Sequence, residues 1–401
     1  MGNNGNDPVI VVGGGIGGLA TALGLAQADK NVQVLEQAPE IGEIGAGIQL
    51  AANATNVLQR LGVMDKISEV SVFPKRLVLM DAYTGKELSA LDLGEIYKER
   101  YGAPYVVLHR SDMQRILLEA CEAHPNIEIR TNQQITSTKD NGNSVDVVTA
   151  SGAIHSGSAV IGADGLWSTT RKQFSDDDPV CSQYVAYRGA IPMEEVTNVG
   201  NLDDVYMWIG RNMHVVQYPV RRGELYNQVV VFKSSQYRKE IERTDQWGTP
   251  EEMDEVFSNT CEKVKTAISF ISRQKRWPMY DRNPIDNWTD GNITLMGDAA
   301  HPMLQYLAQG ACQALEDASY LTDTVLKHGD DFKSAFLEYQ QERLPRTAYV
   351  QRSARSWGEI IHTENPTATL LRNVILKQRT EKDFTFIDRY HGYNKAAMEV
   401  N

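Results

Sequence analysis

The 401-residue sequence is poor in cysteine: Cys121, Cys181, Cys261 and Cys312 are its only four, far apart and without a CxxC pair. That argues against a disulfide framework or a cysteine zinc site and fits a reducing, cytoplasmic setting. A positive charge balance is also missing. Forty Lys and Arg stand against 52 Asp and Glu, for a formal charge of −12, so the bulk field repels polyanions and nucleic acid is not an expected partner. Long uncharged runs are scarce. Val9 to Ala28 is one, long enough on paper for a membrane span or a signal-peptide core. No basic segment precedes it, six of its residues are glycine, and its β-branched start gives way to a small-residue helix pattern, so no stable membrane span is expected. His301 lies three residues from Asp298, but no further His or carboxylate cluster has ligand spacing, and no metal is expected. With 42% apolar and 23% charged residues the chain is globular, and its length allows two or three domains.

What is present begins at the uncharged run. Val9-Ile10-Val11-Val12 reads as a buried parallel strand, Gly13-Gly14-Gly15-Ile16-Gly17-Gly18 as GxGxxG, and Leu19 to Ala28 as a helix. Gly13 serves the tight turn, Gly15 lets backbone approach a pyrophosphate, and Gly18 allows close helix–strand packing. The phosphates would sit on the helix N-terminus, where unpaired N–H groups and about half a positive charge await an anion. A second strand, Val32 to Leu35, ends in Glu36, placed to accept hydrogen bonds from a ribose diol. This fingerprint serves NAD and FAD alike.

Two later segments repeat the logic. Ala159 to Gly162 runs into Ala163-Asp164-Gly165, and Ile293 to Met296 into Gly297-Asp298-Ala299-Ala300-His301-Pro302. Each is a strand delivering an Asp at its carboxyl end, where open α/β sheets bind ligands. Alone, each also reads as an Asp-Gly turn or a strand-end cap.

Taken together these motifs resemble the single-component FAD-dependent aromatic hydroxylases, relatives of salicylate and para-hydroxybenzoate hydroxylases, over nearly the whole chain. The resemblance implies an α/β fold with an α+β insertion. Residues 1–180 and 281–330 would form a Rossmann-like FAD-binding domain, 181–280 an inserted substrate-binding β-sheet, and 331–401 a C-terminal helical region with no assigned chemistry. It also implies bound FAD, NADH or NADPH as reductant with NADH preferred, O2 as co-substrate, a small aromatic acid as substrate, and a homodimer. By the same resemblance the Gly-rich turn and Glu36 hold the ADP half of FAD, Asp164-Gly165 supports FAD and NAD(P)H, and Asp298 bonds the ribityl chain. Arg110, in His109-Arg110-Ser111-Asp112, reaches the flavin phosphate and ribityl region, though these residues also read as a helix start capped by Ser111. Gly45-Ala46-Gly47 passes the flavin ring. After Gln309-Gly310-Ala311 a helix runs from Cys312 to about Lys327, and its N-terminus, if it faces the flavin, would stabilise a reduced anionic ring by about 0.3 to 2 kcal/mol.

Between the motifs, Tyr184–Ile191, Val205–Ile209, Met213–Pro219 and Leu225–Phe232 alternate as strands. Alternation puts His214, Val216 and Tyr218 on one face and Val215 and Gln217 on the other. His214 and Tyr218 have a bland reading as core residues, but between FAD motifs they suit a phenolic substrate. The chemistry implied is attack by a flavin hydroperoxide on a ring made electron-rich as its phenolate, with His214, reference pKa about 6.5, as the base. Tyr101-Gly102-Ala103-Pro104-Tyr105, Trp277 to Arg282 and Pro302-Met303-Leu304-Gln305-Tyr306-Leu307 narrow the resemblance to the 3-hydroxybenzoate 6-monooxygenase branch, which implies that Gln305 orients the substrate and that Tyr105 and Tyr218 line the pocket. Gln305 is the discriminating residue, since salicylate hydroxylases and 6-hydroxynicotinate 3-monooxygenases typically carry proline there. Those two activities are the alternatives on this fold. A halogenase lacks support without a WxWxIP segment, and a non-catalytic flavin or lipid carrier is the alternative of another class. No arginine falls in a recognisable pocket motif, which leaves Gln305 and Tyr105 as candidate partners of the substrate carboxylate.

Overall fold

Val9–Val12, Val32–Leu35, Ala159–Gly162 and Ile293–Leu295 are buried along their whole length, as parallel strands covered on both faces must be. In a computed structural model, which describes residues 7–42, 46–197 and 201–392, they pair in parallel at the centre of a six-stranded sheet. Ile127–Arg130 lies parallel at one edge, and the antiparallel Thr289–Asp290 closes the other. The carboxyl ends of the four central strands therefore bring the Gly13–Gly18 turn, Glu36, Asp164 and Asp298 to one edge of the sheet. Gly13 is needed there, because its φ is +112° and a Cβ on it would strike the Ala163 carbonyl.

A second, seven-stranded sheet runs in the order Arg276–Asp281, Val180–Pro192, Leu225–Lys233, Met213–Val220, Asp204–Gly210, Arg76–Asp81, Glu87–Asp92. The four strands expected from alternation lie within it. The sheet is wider than residues 181–280, because Arg76–Asp81 pairs in parallel with Asp204–Gly210 and carries Glu87–Asp92 with it. One face is packed by Pro250–Phe257 and Glu262–Phe270 through Trp208, Val215, Val230, Phe232, Trp247 and Phe257. The other packs on Leu304, Tyr306, Ile361 and Leu376 and lines the cavity described below.

The helix Gly310–His328 starts two residues before the expected Cys312 and packs on Ile16–Gln27. Behind it, Arg343 of the long helix Phe332–Ile361 pairs with Glu316 and, at 2.7 Å, with Asp317. Asp317 also accepts the Gly297 N–H at 2.9 Å and bonds His301 Nε2 at 2.6 Å. Burial alone would raise this carboxyl, but His301 and Arg343 hold it down at about 2. The ionised knot fixes the turn that presents Asp298. Two further helices, Pro366–Gln378 and Thr385–His391, complete the described chain. Among the described residues no helix is long and apolar enough to cross a membrane, and no group of three His, Cys, Asp or Glu is placed to hold a metal ion.

Candidate active site

One continuous cavity of about 720 Å³ is lined by residues of both sheets and of the C-terminal helices. Gly13, Gly15, Gly18, Glu36, Gly47, Tyr105, Arg110, Asp164, His214, Tyr218, Asp298, Gln305, Gly310 and Ala311 all line it. Gly45 lies outside the described residues.

At the nucleotide end most of the work falls to backbone. The helix Ile16–Gln27 begins at Gly15 with no side-chain cap and no acidic residue in its first turn, so its N–H groups and dipole are directed at whatever enters. A Cβ on Gly15 would meet nothing within 4 Å, whereas one on Gly18 would collide with the Gly13 carbonyl. The first glycine keeps a path open to a ligand and the second keeps the turn packed. Glu36 accepts the N–H of Gly14 at 2.7 Å and of Ala38 at 2.8 Å, which aims its carboxylate and leaves acceptor capacity for a diol. The Asp298 carboxyl is exposed to the cavity rather than sunk in packing. Surrounding protein still raises it above the ordinary carboxylate range, with His301 and Arg110 pulling the other way. Arg110 starts the helix Arg110–Glu122, and its N–H donates to Ala46 O at 3.0 Å. A second uncapped helix start without acidic residues, at Gly310, adjoins the same space. Open glycine, uncapped helix ends and an oriented acid form a donor set that suits a pyrophosphate, ribose and ribityl chain, so the residues fit FAD.

Asp164 is placed differently from Glu36. Its carboxylate accepts Ser168 Oγ at 2.6 Å, Thr169 N at 2.8 Å and Thr170 N at 3.0 Å. The side chain caps the turn after the strand, and what reaches the cavity is the turn it shapes.

The far end is built from side chains. His214, Val216 and Tyr218 share the cavity face, while Gln217 on the opposite face accepts from Trp208 Nε1 at 2.8 Å and donates to Gln228 at 2.8 Å. His214 Nδ1 lies 2.7 Å from His362 Nε2, the two rings stack, and Tyr184 stacks on His362. This leaves His214 Nε2 for a ligand. Burial drives His214 down to about 3 and His362 well below its ordinary value. The free-histidine base expected from a reference pKa of about 6.5 is thus corrected to a neutral imidazole oriented by a second one. Tyr105 donates to Gln49 Oε1 at 2.7 Å. Both phenols are held protonated, chiefly by burial. Gly47 donates to Asn227 Oδ1 at 2.7 Å, and a Cβ on it would run into Tyr218 and Asn227; the loop crosses so close to the sheet that only glycine fits. Gln305 Oε1 accepts from Arg188 at 2.7 Å.

Sequence reasoning missed His362, Gln49 and Arg188, and also the C-terminal residues Trp357, Phe386, Tyr390 and His391 that line the cavity. Arg188 had a usable signal, since it alternates with Ala186 and Ala190 in an identified strand. His362 had none, because its partner is 148 residues away.

The sequence profile described as FAD binding domain matches residues 6–354. The 3-hydroxybenzoate 6-hydroxylase of Polaromonas naphthalenivorans (strain CJ2) is 39% identical over 392 residues, covering 96% of each chain. The 3-hydroxybenzoate 6-hydroxylase 1 of Aquipseudomonas alcaligenes is 38% identical over 380 residues, covering 94% of this chain and 95% of its own. Among solved structures, Klebsiella pneumoniae HpxO complexed with FAD and uric acid superposes with a TM-score of 0.83 at 23% identity, over 98% of this chain and 97% of its own. That last likeness speaks for the fold alone.

Proposed function

The chain belongs to the FAD-dependent aromatic hydroxylases of the FAD binding domain family, and from that premise we propose that it uses NADH or NADPH and O2 to hydroxylate 3-hydroxybenzoate para to its hydroxyl, yielding 2,5-dihydroxybenzoate. The observation that carries the reading is His214, a buried neutral imidazole on the cavity wall, oriented through Nδ1 by His362 and flanked by Val216 and Tyr218. FAD, when bound, would relay the two electrons of NADH or NADPH and supply the oxygen activation. The chain's own part is to make the ring electron-rich. His214 Nε2 accepts the phenolic O–H, and as the proton shifts towards nitrogen the oxygen gains phenolate character and feeds density to the para carbon. With burial holding His214 near 3, the proton stays on the phenol in the ground state and moves to nitrogen only as the ring is attacked. Tyr105, held by Gln49, and Tyr218 close the pocket wall, and Gln305, whose Oε1 accepts from Arg188, lines it beside them.

We further infer a homodimer, supported by the helix Pro366–Gln378, which exposes Leu370, Leu371, Val374 and Ile375. An acidic chain with few, scattered thiols suits the cytoplasm.

The test is NADH oxidation and product identification with the FAD-loaded protein over 3-hydroxybenzoate, salicylate and 6-hydroxynicotinate. The expected result is stimulation by 3-hydroxybenzoate with 2,5-dihydroxybenzoate formed. Coupled turnover of either of the other acids, with none of 3-hydroxybenzoate, would replace the substrate assignment. No stimulation by any of them would favour a carrier.

A further inference from the structure

The strand registers place one cation where the sequence showed none. His214 pairs with Val231, which pairs with Ala186; Val216 pairs with Val229, which pairs with Arg188. Residues paired in register point to the same face, so Arg188 shares the cavity face with His214 and Val216, and all three line the cavity. The two residues lie two strands and two positions apart, roughly 12 Å between Cα atoms by ordinary sheet spacing. Inward-reaching side chains at that separation can hold opposite edges of a single aromatic ring.

The charge pattern points the same way. The carboxylates lining the cavity are Glu36, Asp164 and Asp298, all in the motifs of the nucleotide end. Of the lining arginines, Arg110 acts on Asp298 and Arg379 pairs with Asp383 at 3.1 Å. Arg188 belongs to the other end. Its guanidinium lies 5.8 Å from the Trp277 ring centroid and donates to Gln305 Oε1, and its charge reaches Tyr218, where it opposes the effect of burial. A guanidinium only donates, so the oxygen of the Gln305 amide faces it, and the Nε2 donor is turned to Met279 Sδ at 4.0 Å. The result is a cationic fork held in place by the Gln305 oxygen, on a wall that presents no carboxylate.

We propose that Arg188, positioned by Gln305, binds the carboxylate of the aromatic substrate and makes the pocket select benzoates over neutral phenols. This rests on the hydroxybenzoate reading above. It gives a −12 chain, whose bulk field does not attract an anion, a local means of holding one.

The test is binding to the FAD-loaded protein, followed by perturbation of the flavin absorbance, with 3-hydroxybenzoate against 3-hydroxybenzamide and with benzoate against benzamide. Arg188→Met is expected to weaken both acids about a hundredfold, the scale of losing a charge-assisted hydrogen bond, and to leave both amides within about threefold. Arg188→Lys should recover part of the loss, since it keeps the charge without the fork. Flavin content and melting temperature show whether each variant is folded. Unchanged acid affinity in Arg188→Met, or equal loss for acids and amides in both variants, overturns the proposal. Failure of the wild-type protein to hydroxylate 3-hydroxybenzoate would overturn the substrate reading instead, and the benzoate and benzamide pair, which needs no turnover, still decides the role of Arg188.

Discussion

At the nucleotide end of the cavity, recognition groups are backbone N–H donors of the Gly13–Gly18 turn and of two uncapped helix starts, with Gly13 and Gly18 tolerating no added atom in the packing and Gly15 and Gly310 left open. At the aromatic end they are side chains, His214, Tyr218, Arg188, Gln305, Tyr105 and His362, drawn from separate segments. Backbone recognition depends on local conformation and is indifferent to side-chain charge. Side-chain recognition depends on long-range pairing and on which protonation state burial permits. The first end suits one constant cofactor, and the second is where a change of side chain would retune the ligand.

That contrast breaks most completely at the glycines. Gly18→Val should abolish the folded, yellow protein, because its Cβ collides with the Gly13 carbonyl. Gly15→Ala should do something narrower. Its Cβ meets no protein atom within 4 Å, so the circular dichroism and melting of the apoprotein are expected to match wild type while FAD affinity falls tenfold or more. If Gly15→Ala holds FAD normally, the ligand does not approach this backbone.

The next largest effects belong to the histidine pair. His214→Ala is expected to leave FAD bound and cut product formation about a hundredfold, the usual scale of a general base, with NADH consumption diverted to hydrogen peroxide. His362→Phe preserves a ring against His214 but removes the partner of Nδ1, and about tenfold is expected from the lost orientation and the unsatisfied nitrogen. The product-to-NADH ratio and FAD affinity check both. Wild-type coupling in His214→Ala would end its assignment as the base, and a fall in FAD affinity matching the fall in rate would show that the two ends are not independent.

The nucleotide end was legible in the sequence because each of its motifs is contiguous: strand, turn and helix stand side by side around Gly13, Gly15 and Gly18, and Asp298 follows its strand directly. His214 and Tyr218 were legible by alternation within one strand. Their partners were not. Arg188 meets Gln305 across 117 residues and His214 meets His362 across 148, and such pairings follow from sheet register and from where the last turn of a 30-residue helix lands. Asp164 shows the opposite limit. Its motif was plain, yet its carboxylate is committed to Ser168, Thr169 and Thr170, and a motif alone does not distinguish a ligand-facing acid from a capping one.

The smallest effect separates the two ends by pH. His214 and His391 are held near 3 and His362 well below its ordinary value, each chiefly by burial, and His214 and His391 line the cavity while His362 bonds His214. Their folded pKa values lie below the unfolded value of about 6.5, so the unfolded chain binds more protons and stability falls as pH drops from about 6.5 towards 3. His214 and His391 each contribute about 1.4 kcal/mol per pH unit in that window, and His362 acts in the same direction. Asp317, held at about 2, has the carboxylate sign. Its contribution is intact above about pH 4 and is lost only as pH falls through 4 towards 2. The contributions of these buried histidines should therefore be lost at higher pH than that of Asp317. Replacing one member isolates the increment: His391→Phe, which gives up a 3.0 Å bond to Tyr97, is expected to reduce the slope of unfolding free energy between pH 6 and 5 by about 1.4 kcal/mol per unit. Urea unfolding across that range measures it. A slope unchanged by the substitution would mean that His391 is already protonated in the folded protein, and that the ring end is more open to water than its packing implies.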